Sequence, residues 1–228
     1  MKALVLLSGG LDSSTCLALA VQEYGKENVL ALSLYYGQKH EREIQAAQSI
    51  VSHYGVEWRR IDVAELFEGA DCTLLKGNAD VPAQSYSEQI AEAGGKPVST
   101  YVPFRNGLFI SIATSVALSN KCGVIYYGAH KDDAAGNAYP DCSEAFHDAM
   151  AKAVEQGSGE CVVLRDPFID KTKSDIVRIG LSIGVPYEKT WSCYNGGEKP
   201  CRKCGTCRDR EKAFALNGQR DPLLKEQP

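Results

Sequence analysis

The sequence lacks any hydrophobic run long enough to cross a membrane. A transmembrane helix needs about 20 consecutive apolar residues, and no stretch of this 228-residue chain approaches that length. The N-terminus carries one lysine before a short apolar stretch, without the small-residue cleavage site of a signal peptide. We therefore expect a protein of the cytoplasm that has no membrane anchor.

Positive charge is not in excess either. The chain has 25 lysines and arginines against 29 aspartates and glutamates, which gives a net charge of −4. A large nucleic-acid interface usually needs a clearly basic face, so we expect no nucleic-acid partner. Internal repeats and low-complexity segments are also missing. A chain of this length that is 44% hydrophobic fits one α/β domain with a small appendage.

The glycine-rich turn near the N-terminus lacks the lysine of a Walker A loop. It reads SGGLDSS over residues 8–14, behind a short apolar strand and ahead of a helical pattern. Glycines let the backbone come close to an anion, and the first turn of a helix attracts phosphate. The motif resembles the loop of the pyrophosphatase-type (PP-loop) ATPases, which hold pyrophosphate and transfer AMP to an acyl or amide oxygen. The plainer alternative is an ordinary strand–turn–helix junction with a serine cap.

Strand and helix patterns alternate along the chain. Apolar stretches predict strands at residues 3–7, 28–34, 56–61, 124–127 and 161–164. Helical spacing predicts helices at residues 13–24, 40–54, 63–67, 106–118, 144–155 and 173–183. This alternation is typical of an α/β fold with a doubly wound, mostly parallel sheet, which binds its ligands at the carboxyl ends of the strands.

Three segments are expected in the chain. Residues 1–190 form the nucleotide-binding domain, residues 191–218 a metal knuckle with a C-terminal helix, and residues 219–228 a tail. Within the first segment, periodicity fades between residues 69 and 99. A loop of that length in a compact domain is usually functional or mobile. We interpret it as a lid on the substrate side, with a short helix around residues 87–93.

Four of the nine cysteines lie within fifteen residues. They are Cys193, Cys201, Cys204 and Cys207. Disulfides are rare in the reducing cytoplasm, and four thiolates fit a closed, tetrahedral structural Zn²⁺ site. An iron–sulfur cluster also uses closely spaced cysteines, and a redox CxxC pair is a further alternative. Four of the remaining cysteines are interpreted as small core residues: Cys16, Cys72, Cys122 and Cys161.

Two cations stand at predicted helix starts. Thr172 and Asp175 have the spacing of a capping box, but this does not account for Lys173, which sits unfavourably in the first turn against the helix dipole. A lysine placed there is better explained if it reaches a phosphate. Arg105 follows a proline turn in the same way and can hold a phosphate or carboxylate through two hydrogen bonds. The structural alternative remains open for both cations.

Several motifs together resemble the 7-cyano-7-deazaguanine synthase (preQ0 synthase, QueC) family of the PP-loop ATPases. They are SGGLDSS at 8–14, YGQKHERE at 36–43, VPFRN at 102–106, YPDC at 139–142 and the terminal cysteines. The resemblance spans nearly the whole chain. It implies a fold like that of the adenine nucleotide alpha hydrolases and one bound zinc. It also implies a C–N bond-forming ligase that converts 7-carboxy-7-deazaguanine and ammonia to the nitrile, with two ATP, for queuosine. Members are generally homodimers.

The resemblance also implies roles for individual residues. The ATP-binding residues are Ser8, Gly9, Gly10, Leu11, Asp12, Ser13, Ser14 and Thr15. Asp12 is expected near Mg²⁺, and Lys173 and Arg105 neutralise phosphate oxygens, so these three are the expected catalytic residues. The substrate-binding residues are Tyr36, Gln38, Tyr139 and Asp141. His40 is either a base for ammonium or a capping or core group.

The chain departs from the family pattern between residues 128 and 143. Family members read roughly GVN, an acidic residue and YPDCR, whereas this chain has GAHKDD at 128–133 and Ser143 after Cys142. The departure leaves the amine acceptor open. One alternative is a relative that joins the activated deazaguanine acid to another amine, such as a protein terminus. Others are a tRNA-modifying enzyme and a non-catalytic nucleotide-sensing module.

Overall fold

Five parallel strands form the sheet of this protein, whose computed structural model describes residues 1–39 and 41–224. The order across the sheet is β3-β2-β1-β4-β5, and all four neighbouring pairs are parallel. The strands are β1 (Lys2–Leu6), β2 (Val29–Tyr35), β3 (Glu57–Asp62), β4 (Cys122–Tyr126) and β5 (Val163–Arg165). The predicted parallel α/β sheet is confirmed.

Helices cover both faces of the sheet. They are α1 (Leu11–Tyr24), α2 (Arg42–Tyr54), α3 (Tyr86–Ala93), α4 (Arg105–Ser119), α5 (Lys131–Ala134), α6 (Glu144–Gly157), α7 (Lys173–Ser182) and α8 (Gly205–Leu216). One apolar core joins the sheet to α1, α2, α7 and α8. A second core joins it to α4 and α6. The central strands β1 and β2 are therefore mostly apolar, apart from Lys2 and Ser33, because both faces of the sheet are covered here.

The strand order places a crevice at the carboxyl ends of the central strands. The chain leaves β1 for β2 on one side, and returns to β4 on the other side of β1. Where the order reverses in this way, the connections diverge and leave room for a ligand. The glycine turn after β1, the segment after β2 and the segment after β4 all lie at this edge.

The segment between residues 69 and 99 is packed against the domain. Cys72, Leu74 and Leu75 are buried in an apolar cluster with Tyr36, and Leu75 forms an antiparallel bridge with Gln38. The predicted short helix is α3, which begins with a capping box between Ser85 and Glu88. Sequence periodicity missed this packing because buried loop residues follow no helical or strand repeat.

Other local predictions are corrected in detail. The stretch predicted as a helix at 63–67 is one 3-10 turn, Ala64–Phe67. Of the four cysteines predicted in the core, Cys161 is exposed because it precedes the short edge strand β5. Within residues 1–39 and 41–224, every helix is too short or too polar to traverse a bilayer.

Candidate active site

A cavity opens at the carboxyl ends of β1, β2 and β4; we call it the central cavity. Its polar lining residues include Ser8, Asp12, Ser13, Tyr36, Gln38, Glu43, Tyr86, Arg105, Asn106, Asp133, Lys173 and Tyr194. They come from segments far apart in sequence, and the parallel sheet brings them to one edge. The cavity therefore lies where a doubly wound fold binds its ligands.

The glycine turn forms one wall of the central cavity. Gly9 has φ of +85°, and a Cβ there would lie 2.3 Å from the Glu43 carbonyl oxygen and 2.5 Å from the Ala47 nitrogen. Only glycine fits between the turn and α2. The backbone N–H groups of Ser8 and Gly10 donate to the Ser13 and Ser8 hydroxyls at 3.1 and 3.2 Å. These hydrogen bonds fix the conformation of the turn in front of α1. The N-terminus of a helix attracts phosphate.

Asp12 and Lys173 form an ion pair beside this turn. The Lys173 Nζ lies 3.3 Å from Asp12 Oδ2, with 12% and 22% of the two side chains exposed. Burial opposes both charges, but Lys173 lowers the pKa of Asp12 and the carboxylates of Asp12 and Asp133 raise that of Lys173. Asp12 Oδ1 is buried without a hydrogen-bond partner among the described residues. Such an atom has a free lone pair for a cation.

Arg105 also lines the central cavity, at the start of α4. Its guanidinium lies 5.4 Å from the Tyr36 ring centroid and 6.0 Å from that of Phe109, and its Nη1 donates to the Tyr36 hydroxyl at 3.4 Å. Burial disfavours the cation, yet Tyr36 and Asp141 raise the pKa of Arg105. The two aromatic rings fix a cation that faces the space in front of the glycine turn.

The predicted site residues fall into two groups. Ser8, Gly10, Leu11, Asp12, Ser13, Tyr36, Gln38, Arg105 and Lys173 line the central cavity, and Gly9, Ser14, Thr15, Tyr139 and Asp141 lie behind its wall. Thr15 is fully buried and shares a 2.9 Å hydrogen bond with the Tyr187 hydroxyl. Asp141 accepts from the Asn106 backbone N–H at 2.9 Å and so satisfies a free donor in the first turn of α4. His40 lies outside the described residues.

Tyr139 belongs to a chain of hydroxyl groups behind and beside the cavity. Its hydroxyl contacts Thr100 Oγ1 at 2.6 Å and donates to the Tyr86 hydroxyl at 3.2 Å. The Tyr86 hydroxyl also contacts that of Tyr194 at 3.0 Å. Tyr86 and Tyr194 line the cavity, so Tyr139 braces two lining tyrosines.

Glu43, Asp133, Tyr86 and Tyr194 are lining residues to which sequence reasoning gave no role. Burial raises the pKa of Glu43 to about 7, against the opposing effect of Arg105. Glu43 stood inside the recognised 36–43 motif, which was the available signal for it. Tyr86 and Tyr194 stood in no chemical pattern, because only the folded chain brings α3 and the terminal cysteines to the cavity.

The four predicted metal ligands converge beside the cavity. The Sγ atoms of Cys193, Cys201, Cys204 and Cys207 all lie within 4.8 Å of one another. The Trp191 backbone N–H donates to the Gly9 carbonyl at 2.9 Å, and its indole N–H donates to the Cys193 carbonyl at 2.8 Å. Trp191 therefore joins the cysteine cluster directly to the glycine turn. The cluster fits a bound metal.

Comparisons with known sequences agree with this geometry. The family model described as queuosine biosynthesis protein QueC matches residues 2–218. A 7-cyano-7-deazaguanine synthase of Archaeoglobus fulgidus is 42% identical over 100% of this chain and 91% of its own length. One of Thermoplasma acidophilum is 43% identical over 99% and 92%, and one of Caldicellulosiruptor saccharolyticus is 40% identical over 99% and 96%.

Solved structures share the fold at low sequence identity. A U34-tRNA thiolase of Methanococcus maripaludis, solved with its [4Fe-4S] cluster, has a TM-score of 0.53 at 18% identity, over 95% of this chain and 66% of its own. An NH3-dependent NAD synthetase of Campylobacter jejuni has a TM-score of 0.50 at 15% identity, over 82% and 66%. These likenesses concern the arrangement of strands and helices only.

Proposed function

Because the chain belongs to the QueC family of queuosine biosynthesis proteins, as its motifs predicted, we propose that it makes 7-cyano-7-deazaguanine from 7-carboxy-7-deazaguanine and ammonia. The chain is a ligase of queuosine precursor biosynthesis, and the family uses ATP. The observation that carries the proposal is that the glycine turn and the Asp12–Lys173 ion pair line the same cavity as Arg105 and Tyr36.

The reaction needs a better leaving group than a carboxylate provides. Transfer of AMP to one carboxylate oxygen breaks the α–β bond of ATP, releases pyrophosphate and makes that oxygen the bridge of a mixed acyl–phosphate anhydride. Ammonia then attacks the acyl carbon, and AMP leaves to give the amide. A second AMP transfer, to the amide oxygen, lets this oxygen depart and forms the C≡N bond. The protein contributes position and charge stabilisation rather than a covalent step.

The residues around the glycine turn suit this chemistry. We assign the pyrophosphate to the N–H groups and hydroxyls of residues 8–15, of which Ser14 and Thr15 act from behind the wall. Lys173 and Arg105 both line the central cavity and neutralise charge that develops on phosphate oxygens. The unpartnered Asp12 Oδ1 fits a ligand of Mg²⁺. A bound Mg²⁺ would supply further charge neutralisation at the phosphates.

We assign the deazaguanine to the wall formed by Tyr36 and Gln38. Tyr36 is held by Arg105, and the Gln38 side-chain oxygen accepts from the Tyr36 backbone N–H at 2.9 Å. Tyr139 and Asp141, which lie behind the lining, act through Tyr86 and through the start of α4. The segment 69–99, which contributes Tyr86, serves as the lid.

Zinc is the proposed metal of the cysteine cluster. Four thiolates around one Zn²⁺, with Zn–S bonds of about 2.3 Å, are held close together, and the observed sulfurs lie within 4.8 Å. A cubane cluster places several irons between its thiolates and holds them further apart. We accordingly divide the chain into the ATP-binding domain, 1–190, the zinc knuckle with its helix, 191–218, and the tail, 219–228.

We further propose a cytoplasmic homodimer that has no nucleic-acid partner. Thiols gathered as metal ligands, rather than paired in disulfides, suit a reducing compartment, and the net charge of −4 does not suit a large nucleic-acid interface.

Transfer of the activated acid to another amine or to tRNA is not favoured, since relatives over the full length are named 7-cyano-7-deazaguanine synthase.

Mass spectrometry of the small-molecule products tests the proposed function. The protein is incubated with 7-carboxy-7-deazaguanine, ATP, Mg²⁺ and ammonium, with one reaction lacking ammonium as the control. We expect the nitrile only in the complete mixture. A product that stops at the amide, or a deazaguanine acid joined to the protein, would contradict the proposal and select a neighbouring activity. Light scattering of the purified protein tests the dimer.

A further inference from the structure

The segment that departs from the family pattern lies against Lys173. His130 follows β4 and is only 1% exposed. Its Nε2 lies 3.2 Å from Lys173 Nζ and 3.2 Å from Asp133 Oδ2. Asp132 adds a contact to the backbone of Lys173, because its Oδ2 accepts from the Lys173 N–H at 2.9 Å. Residues 130–133 therefore contact both the side-chain ammonium group and the backbone N–H of Lys173.

Lys173 needs such support on physical grounds. A lysine side chain has a flexible four-carbon stem and loses rotamer entropy when it is fixed. It also stands in the first turn of α7, where the helix dipole repels a cation. Asp12 gives one contact to its Nζ and His130 gives the second. Together they aim the ammonium group at the space before the glycine turn.

The imidazole can give only one type of contact at a time. An unprotonated Nε2 accepts a hydrogen bond from Lys173, whereas a protonated Nε2 donates to Asp133. The Nδ1 atom finds no partner among the described residues, so Nε2 carries the whole polar role of this side chain. A buried histidine with both contacts on one nitrogen is better explained by the lysine beside it than by packing.

We propose that His130 is a positioning residue, whose Nε2 accepts a hydrogen bond from the Lys173 ammonium group and holds it toward the phosphates of ATP. This inference rests on the proposed function for the reaction that it serves. It assigns the divergent 128–133 segment to nucleotide activation rather than to the choice of amine. Asp132 assists through the backbone at the start of α7.

Amide side chains of two lengths test the proposal. His130→Gln can place its Oε1 near the position of Nε2 and still accept from Lys173, whereas the amide of His130→Asn is too short. His130→Leu removes the acceptor altogether, and His53→Leu, at an exposed site on α2, is the control. The readouts are acid-dependent exchange of pyrophosphate into ATP and the Kd of Mg-ATP by calorimetry.

We expect His130→Leu and His130→Asn to lower the exchange rate by about tenfold to a hundredfold, as a misplaced catalytic group does. His130→Gln should stay within about threefold of the wild type, and the KM for the acid should change by less than about twofold, because His130 acts on the phosphate side. In a Lys173→Met background, His130→Leu should cause no further loss, since it acts through that lysine.

Other outcomes would overturn the proposal. They are equal losses in the Gln and Asn variants, full activity in His130→Leu, or losses that multiply with Lys173→Met. Should the leucine variant not fold, as judged by its melting curve, the Gln and Asn variants still decide. If the wild type shows no exchange, the proposed function fails. In that case the affinity for Mg-ATP tests the inference. The Kd of Mg-ATP should rise in the Asn variant and stay unchanged in the Gln variant.

Discussion

At the scale of single residues, Glu43 is a cavity-lining side chain whose ionisation depends strongly on its surroundings. It lies in the first turn of α2 and lines the central cavity. Burial raises its pKa to about 7, although Arg105 opposes the rise. Glu43 is therefore divided between its acid and carboxylate forms near neutral pH, and its ionisation costs folding free energy.

This leads to a prediction about the pH dependence of stability. The folded pKa of Glu43 lies above that of the unfolded chain, about 4.3 for glutamate. The native state therefore binds the extra proton between these values, and stability is lost as pH rises through about 7. Glu43→Gln removes this loss. The free energy of unfolding of the variant minus that of the wild type should therefore increase by about 1 to 3 kcal/mol between pH 5.5 and pH 8.5.

Urea unfolding at four pH values measures the difference. Glu41→Gln, at an exposed position next to the same helix, is the matched control and should follow the wild type at every pH. A gap between Glu43→Gln and the wild type that stays constant over the pH range would contradict a buried, titrating Glu43.

The chemistry of single residues predicts several of those that line the cavity, whereas their packing contacts appear only in the structure. The sequence placed Lys173 at a phosphate because a cation in the first turn of a helix has no local reason to be there. It assigns Asp141 to the substrate, and this stays a prediction. The capping contact of Asp141, which is 4% exposed, with the Asn106 N–H could not be predicted, because it joins two segments that are distant in sequence.

At the scale of elements, the contact between the glycine turn and α2 leaves no room for a side chain at Gly9. Gly9 has a positive φ, and any Cβ would meet the backbone of Glu43 and Ala47. Gly10 has φ of −76°, and a Cβ there would lie 3.2 Å from the movable Ser8 hydroxyl. The two neighbouring glycines therefore differ sharply in what they tolerate.

Alanine at each glycine turns this difference into a prediction. Gly9→Ala should lower the free energy of unfolding by about 3 kcal/mol or more, because backbone strain and overpacking add. Gly10→Ala should change it by less than about 1 kcal/mol. Thermal and urea unfolding of both variants measure the effect. Similar stabilities for the two variants would contradict the close approach of α2 to the turn.

The cysteine cluster is the second element with a clear energetic consequence. Cys204 is the N-cap of α8, whose Arg210 is buried in an ion pair with Asp221 at 2.7 Å. Structural zinc binds small peptides with about 10–16 kcal/mol, comparable to the stability of a whole domain. Metal binding and the docking of α8 should therefore be strongly coupled.

Removal of one ligand tests this coupling. Cys204→Ser should lose its metal and unfold at a clearly lower temperature, whereas Cys161→Ser, at an exposed cysteine, should keep both properties. Elemental analysis should find one zinc per chain in the wild type, and the protein should not absorb visible light. Iron with visible absorption would contradict zinc, and full stability without metal would contradict a structural role.

The elements were predictable wherever their burial follows a repeat. The apolar runs of β1 and β2 and the helical spacing of α2 and α4 predicted each element to within a few residues. The segment 69–99 is interpreted from sequence as a lid on the substrate side, but its packing could not be predicted, because its buried residues, such as Cys72 and Leu75, follow no period. Their contacts come from the chain after β2, which no local pattern reveals.

At the scale of the whole molecule, alternation predicted the parallel sheet but not the order of its strands. That order puts β1 between β2 and β4 and so brings the glycine turn, Arg105 and Lys173 around one cavity. Sequence motifs identified the three parts, and the sheet topology explains why they meet. Their convergence is what makes AMP transfer to a small acid the central claim.

Oxygen labelling tests that claim most directly. The protein is given 7-carboxy-7-deazaguanine with ¹⁸O in both carboxylate positions, together with ATP, Mg²⁺ and ammonium, and the nucleotides are analysed by mass spectrometry. Since each AMP transfer carries off one oxygen of the acid, we predict two AMP molecules per nitrile, each with one ¹⁸O, and unlabelled pyrophosphate. The appearance of ADP with labelled orthophosphate, or of AMP without label, would contradict it.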